Sequence, residues 1–302
     1  MKLSELGEDA IVRELTRRLP LGAGVLVGAG DDCAVLGREG DAFWRLAKTD
    51  AVIEGVHFLH GEEPQRVGWK ALCRAISDIA AMGGIPEHAL ITLGISRDAE
   101  MEWAKGLYAG LRKAARKFKV GIVGGETSRS PGATFINIAL TGRVEPHFCV
   151  LRSGGKAGDL IYVTGHLGGS LAGKHLDFTP RLREARWLVE NHRPTAMMDL
   201  SDGLGADLPR LAAASRCSFE IWPLSIPCTP GSTPLNAMSD GEDFELLLTV
   251  APVKAEALER DWRKRFPKLP LTKVGHLARP STKRKTTPAA QGYDHFKRPT
   301  AI

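Results

Sequence analysis

The sequence predicts a mixed α/β (α+β) protein of two domains, on three observations. The chain has 302 residues, about twice the ~150 residues of an ordinary domain. Segments of helical and strand periodicity alternate along almost all of it. A stretch rich in loop formers, EPHFCVLRSGGKAG at 145–158, interrupts that alternation and divides the chain into domains 1–146 and 147–302.

The elements follow in order. Residues 1–19 carry Leu3, Leu6, Ile11, Leu15 and Leu19 near helical spacing and predict an amphipathic helix. A Gly-rich turn follows, ending in GAGDDCAVL, and residues 43–53 read as a strand that delivers Thr49 and Asp50 to its end. Residues 63–82 form a helix on Val67, Ala71, Leu72, Ala75, Ile76 and Ile79, closed by Gly83 and Gly84, since glycine ends helices readily. Residues 99–118 repeat the pattern; GIVGG is a short strand and TFINIALTGRV an alternating one. In the second half DLIYVTG and FELLLTV read as buried strands, and 181–191, 203–216 and 252–266 as helices. From 279 to 302 the chain is basic, Pro- and Thr-bearing, and expected to be extended. No short-period repeat is present.

Composition excludes several classes. With 43% apolar and 25% charged residues, the body is globular rather than disordered. No apolar run approaches the ~18–20 residues needed to cross a bilayer. Glu5, Glu8 and Asp9 interrupt what would be the apolar core of a signal peptide, so no membrane association and a cytoplasmic location are expected. The net charge of +6 is thinly spread, the one tight basic run is Lys283-Arg284-Lys285, and aromatics are only 6%. No nucleic-acid partner is expected from such a pattern. The five cysteines are scattered without a CxxC pair, which fits neither a disulfide framework nor a zinc site.

One motif is a near miss. Gly168 to His175 matches GxxxxGK after a strand, but His175 stands where a P-loop needs a hydroxyl for Mg²⁺. The stronger signal is the placing of acids beside Gly or Ser at the ends of apolar segments. These are Asp31-Asp32 in GAGDD, Asp50 in KTDAV, Asp78 in ISDIAAMGG, Glu126 in VGGETS, Asp199 and Asp202 in DLSDGL, and Glu242-Asp243 in SDGED. Each alone fits a turn or a helix cap. Their recurrence in one chain, mostly without a basic neighbour, points to a shared site. Hard oxygen donors without a His/Cys cluster favour Mg²⁺ over zinc. Mg²⁺ beside Gly-rich turns in turn suggests a nucleotide polyphosphate.

In order, GDDCAVL, TDAVIEGVHF, SDIAAMGG, VGGETS, LRSGGKAGDLIYVTG, DLSDGL and DGEDFELLLT resemble the thiamine-monophosphate kinases, members of the aminoimidazole ribonucleotide synthetase superfamily. The resemblance runs from about residue 4 to GYDHF at 292–296. It implies an aminoimidazole ribonucleotide synthetase-like fold whose N-terminal domains pair into a dimeric barrel, with a C-terminal α/β domain completing the cleft. It implies a homodimer that uses ATP and several Mg²⁺ ions to convert thiamine monophosphate to thiamine diphosphate.

Matched residue by residue, the resemblance assigns Asp32, Thr49, Asp50, Asp78, Glu126, Asp199 and Asp202 to metal, with Asp32, Asp50, Asp202 and Arg152 nearest the chemistry. It assigns Tyr108, Gly125, Glu126, Arg152 and Ser201 to the nucleotide, and His57, Glu242 and Tyr293, with Asp243 adjacent, to the thiamine phosphate. Two departures stand out: Glu126 replaces the usual Asp, and Lys48 stands where a small residue is common. The Pro-rich segment 223–238 is a third oddity near the substrate motif. The acceptor is an anionic phosphate oxygen, so no general base is required and His57 is expected to donate a hydrogen bond. A sister ATP-dependent enzyme acting on another acceptor is the alternative, although Cys33 lies inside the acidic motif rather than in a separate segment.

Overall fold

Gly7 breaks the first helix. The amphipathic pattern of 1–19 predicts one helix, but two form, α1 (Leu3–Leu6) and α2 (Glu8–Thr16), because Gly7 adopts φ 79° between them. The computed structural model describes residues 2–280 and 292–296. The run Lys283–Lys285 and most of the basic segment from Arg279 onward lie outside the described residues.

The first half continues with β1 (Val25–Val27), β2 (Ala34–Leu36), β3 (Trp44–Ile53), α3 (Pro64–Ala81), β4 (Ile85–Ile95), α4 (Met101–Phe118), β5 (Gly121–Arg129) and β6 (Phe135–Val144). Its six strands form one sheet in the order β1-β2-β3-β6-β4-β5. All pairs are antiparallel except β4 with β5, which α4 joins as a crossover. β3 matches the expected 43–53, but Thr49 and Asp50 do not stand at its end: Asp50 pairs with Ile138 and the ladder continues to Ile53 opposite Phe135. Thr49 and Asp50 are therefore inside the strand, on opposite faces. β5 pairs only with β4 and forms the sheet edge.

The second half holds β7 (Leu160–Thr164), α5 (Lys174–Asp177), α6 (Leu182–Asn191), β8 (Ala196–Asp199), α7 (Leu204–Ala214), β9 (Ser218–Ile221), α8 (Pro234–Ser239), β10 (Leu246–Val250), α9 (Pro252–Arg265) and β11 (Leu271–Ala278). Its strands form an antiparallel sheet in the order β8-β10-β7-β11-β9.

Packing explains why α3 matters. It touches β3, β4 and β6 of the first sheet, and β8, α5 and α6 of the second half. Fourteen of its 18 residues are buried. α4 crosses it with backbones in contact: a Cβ on Gly68 would lie 2.0 Å from the Leu107 carbonyl oxygen, and one on Gly110 would lie 1.9 Å from that of Gln65. Val67, Leu72, Ile76 and Ile79 of α3 and Ile91, Ile136 and Ile138 of the sheet fill the first core with no exposed surface. At ~1.5–3 kcal/mol per buried aliphatic side chain, this core fixes the helix on the sheet. No helix among the described residues is long and apolar enough to cross a membrane.

Candidate active site

Two periodicities bring the site together. Along α3, Lys70, Arg74 and Asp78 are spaced by four residues and share one side of the helix. Along β3, Lys48 and Asp50 share the face that looks at α3, while Thr49 looks away. Asp32 comes from the bend before β2, and Asp199 ends β8.

Asp32, Asp78 and Asp199 converge. One carboxylate oxygen from each lies within 4.8 Å of the others, and all three residues are buried. Arg152 pairs with Asp32, Lys48 reaches Asp78 at 2.8 Å, and the Ser77 hydroxyl donates to Asp199 at 2.6 Å. Burial, then the Asp32 charge, pushes Asp199 up to about 6. Burial drives Asp78 well above the carboxylate range, against the pull of Lys48 and with the push of Asp199 and Asp50. Asp31, which accepts the Arg152 backbone N–H at 3.1 Å, rises to about 6 through burial and the Asp32 charge. Against the pull of burial, Asp78 and Asp50 hold the Lys48 ammonium above the ordinary lysine range. The Asp32 Oδ2 is buried with no hydrogen-bond partner among the described residues. An all-oxygen, mutually repelling triad with an orphaned acceptor fits a hard divalent cation such as Mg²⁺.

Beside it runs a chain of alternating charge. Arg74 bonds Asp50 at 3.2 Å and Glu242 at 3.3 Å. Lys70, with no exposed side-chain surface, donates to Glu242 at 2.5 Å and to the His57 carbonyl. Burial, outweighing the Glu242 charge, lowers Lys70 to about 8. Glu242 is held at φ 54°, a conformation uncommon for a non-glycine residue. The His57 Nδ1 accepts the Ile53 backbone N–H at 3.0 Å, which leaves its proton on Nε2. Burial, then Arg74 and Lys70, lowers His57 to about 2, so its ring is neutral. The His295 ring lies 5.4 Å from His57, and Tyr293 meets His295 edge-on at 4.8 Å. Tyr293 is anchored by its backbone N–H to the Asp202 carbonyl at 2.8 Å.

Other expected residues stand apart. Asp243 turns from Glu242 and accepts the Gly168 N–H with both oxygens at 3.0 Å. It is 1% exposed, and burial pushes it up to about 7. The Asp202 carboxylate pairs with Arg210, which also holds Asp207 at 3.0 Å and Asp9 at 2.9 Å. Asp207 in turn accepts the backbone N–H groups of Ser201 and Asp202, both at 3.0 Å. Thr49 bonds Asn137 at 2.9 Å on the far face of the first sheet, and Gly125 and Glu126 lie on the exposed edge strand β5. Tyr108 packs half-buried on α4 against the first core. Within one chain these last four are separate from the triad.

Sequence reasoning missed Lys70, Arg74, Asp207 and Arg210. The signal for two of them was present: charges at 70, 74 and 78 form a polar stripe on a helix otherwise spaced for burial.

The AIR synthase related protein, N-terminal domain family matches residues 30–144, the span from the Asp31-Asp32 bend to the end of β6. A thiamine-monophosphate kinase of Rhodopirellula baltica is 39% identical over 286 residues, covering 89% of this chain and 87% of that one. That of Bacillus subtilis is 31% identical over 330 residues, covering 97% and 100%. The solved complex of AaThiL with AMPPCP and TMP has a TM-score of 0.81 at 29% identity, covering 98% of this chain and 99% of that one. Because similarity of this extent runs through both sheets and the elements that carry the buried triad, the chain belongs to the thiamine-monophosphate kinase family.

Proposed function

We propose that this chain transfers the γ-phosphoryl group of ATP to the phosphate of thiamine monophosphate, giving ADP and thiamine diphosphate, with Mg²⁺. The observation that carries the reading is the triad Asp32, Asp78 and Asp199, drawn from both halves and set beside Arg152. It is supported by relatives named for that activity and by a similar solved protein bound to AMPPCP and TMP.

The triad would hold the divalent cations, with Asp50 and Asp202 proposed as further ligands although Asp202 pairs with Arg210 in this structure. When bound, these cations neutralise the phosphate charges that otherwise repel each other. The chain supplies the rest. Arg152 keeps a buried Nε–H without a partner among the described residues, a donor for a phosphate oxygen. His57 offers its Nε2–H, a donor and not a base, in keeping with an acceptor already anionic. Glu242, fixed by Lys70 and Arg74, and Tyr293 flank the same space and are proposed to bind the thiamine phosphate. Asp243 is proposed to brace the Gly168–Gly169 turn beside them. Tyr108 and Ser201 are proposed nucleotide contacts.

Thr49, Gly125 and Glu126 fit a second chain. The edge strand β5 is open, and Leu90 and Val123 are 48% and 60% exposed beside it. Two copies pairing over this face, as domains 1–146 of a homodimer with domains 147–302 outside, would enclose them. A cytoplasmic setting suits the five free thiols.

The test is direct. The chain is incubated with ATP, thiamine monophosphate and Mg²⁺, and ADP and thiamine diphosphate are separated by chromatography. Equal appearance of both, lost without Mg²⁺, is expected. ADP without thiamine diphosphate would redirect the reading to a sister enzyme with another acceptor, and neither product from folded protein would remove it.

A further inference from the structure

Lys48 is placed unusually for a lysine. It extends from the middle of a central strand toward α3, its side chain only 24% exposed, with its ammonium 2.8 Å from the Asp78 Oδ1. Asp78 is one of the three converging carboxylates. Asp50, on the same strand face, is already matched by Arg74 at 3.2 Å. On this side of the centre, both acids therefore carry a protein cation. On the other side, Asp32 retains a buried oxygen with no partner among the described residues, although Arg152 holds its neighbour.

We propose that the Lys48 ammonium is a built-in counter-ion that fills one cation position of this carboxylate centre. The chain then loads one divalent ion fewer than the same site would with a neutral residue at 48. The inference rests on the reading of the triad as a metal site. A carboxylate oxygen that accepts an ammonium is hindered from ligating a divalent ion, because the two cations would face each other within a few ångströms in a poorly screened interior. Mg²⁺ also demands near-octahedral oxygen donors and tolerates an intruding N–H group poorly. Lysine is suited to the part because its charge is compact and its stem flexible, so it reaches Asp78 without displacing Asp50. Lys48 touches a candidate ligand and not the substrate, and is a positioning residue.

The test counts metal, independent of turnover. Mn²⁺ is titrated into the full-length chain, with and without AMPPCP, and free Mn²⁺ is followed by electron paramagnetic resonance. Parent, Lys48→Arg, Lys48→Met and Lys48→Gln are compared. The expected result is one additional Mn²⁺ per chain, or at least tenfold tighter binding at one site, in both neutral variants, with Lys48→Arg like the parent. Identical stoichiometry and affinity in all four would overturn the proposal. So would loss of Mn²⁺ binding in neutral variants that still melt cooperatively, since Lys48 would then support the ligands rather than replace an ion. Failure of both neutral variants to fold while Lys48→Arg folds would also overturn it, making the ammonium a structural ion-pair partner. If Mn²⁺ binds but AMPPCP changes nothing, the kinase reading fails while the comparison at Lys48 still stands.

Discussion

Replacing Lys70 with Met removes a buried charge whose partners are all on view. The ammonium has no exposed surface and bonds Glu242 at 2.5 Å as well as the His57 carbonyl. Breaking a buried pair from one side costs ~3–5 kcal/mol, because the remaining charge loses its counter-ion without regaining water. Here Glu242 keeps Arg74 at 3.3 Å and a side chain 16% exposed, so the low end applies, about 3 kcal/mol. Methionine fills much of the stem volume, which keeps a cavity from adding to the loss. At roughly 2–4 °C per kcal/mol for chains of 150–250 residues, the melting temperature should fall by about 6–12 °C. Glu242 sits at φ 54°, so losing its tether should also disorder the proposed substrate contact. The KM for thiamine monophosphate should rise at least tenfold, with kcat changing less. Thermal melts and initial rates at varied thiamine monophosphate measure both. A melting temperature within 2 °C of the parent together with an unchanged KM would refute the assignment of Lys70 as the anchor of Glu242.

Other outcomes follow from the same geometry. Since burial lowers Lys70 to about 8, KM should climb above about pH 8 as the ammonium is lost, and Lys70→Met should flatten that profile. Adding Mg²⁺ should raise the parent melting temperature, as binding to the folded state stabilises by ~2.7 kcal/mol at a hundredfold excess over Kd, and Asp199→Asn should abolish most of that rise. Glu126→Asp should keep activity and Glu126→Ala should lose most of it; equal rates for Glu126→Ala and parent across Mg²⁺ concentrations would remove Glu126 from the site. Gly110→Ala pushes a methyl to 1.9 Å from the Gln65 carbonyl and should cost about 1–3 kcal/mol, read by denaturant melts.

The acids were legible in the sequence because they recur in short Gly- or Ser-bearing motifs at the ends of apolar segments, although Asp50 lies inside β3 and Asp78 inside α3. Asp32, Asp78 and Asp199 do meet. The basic residues were illegible for the opposite reason. Lys70 and Arg74 lie within a helix whose apolar spacing promises one buried face, and only the second sheet, packed on the other side, buries the polar stripe as well. Among the strands, β3, β6, β7 and β10 carried strong apolar runs or alternation. β8 and β9, with four residues each, are too short for periodicity to register. β11 is interrupted by Lys273 and His276 and bulged near Gly275. Adjacent acids were the hardest to separate. Glu242 and Asp243 are neighbours in sequence, yet one turns to Lys70 and Arg74 and the other to Gly168, because the backbone reverses through φ 54° and 50° at Glu242 and Phe244.

Helix α3, pressed between the two sheets, has a consequence for how the molecule can fail. Its polar stripe hands Asp78 to Asp32 and Lys48 on one side, Ser77 to Asp199 on the other, and Lys70 to Glu242. Neither half contains a partial site that could work by itself. A chain cut in the 145–158 connection, or one whose second sheet has locally melted, would keep a helix with a charged stripe facing water and no phosphate-transfer centre. Activity should thus vanish with the first cooperative loss of structure in either half, so that every active molecule in solution is one in which both halves are folded and in register.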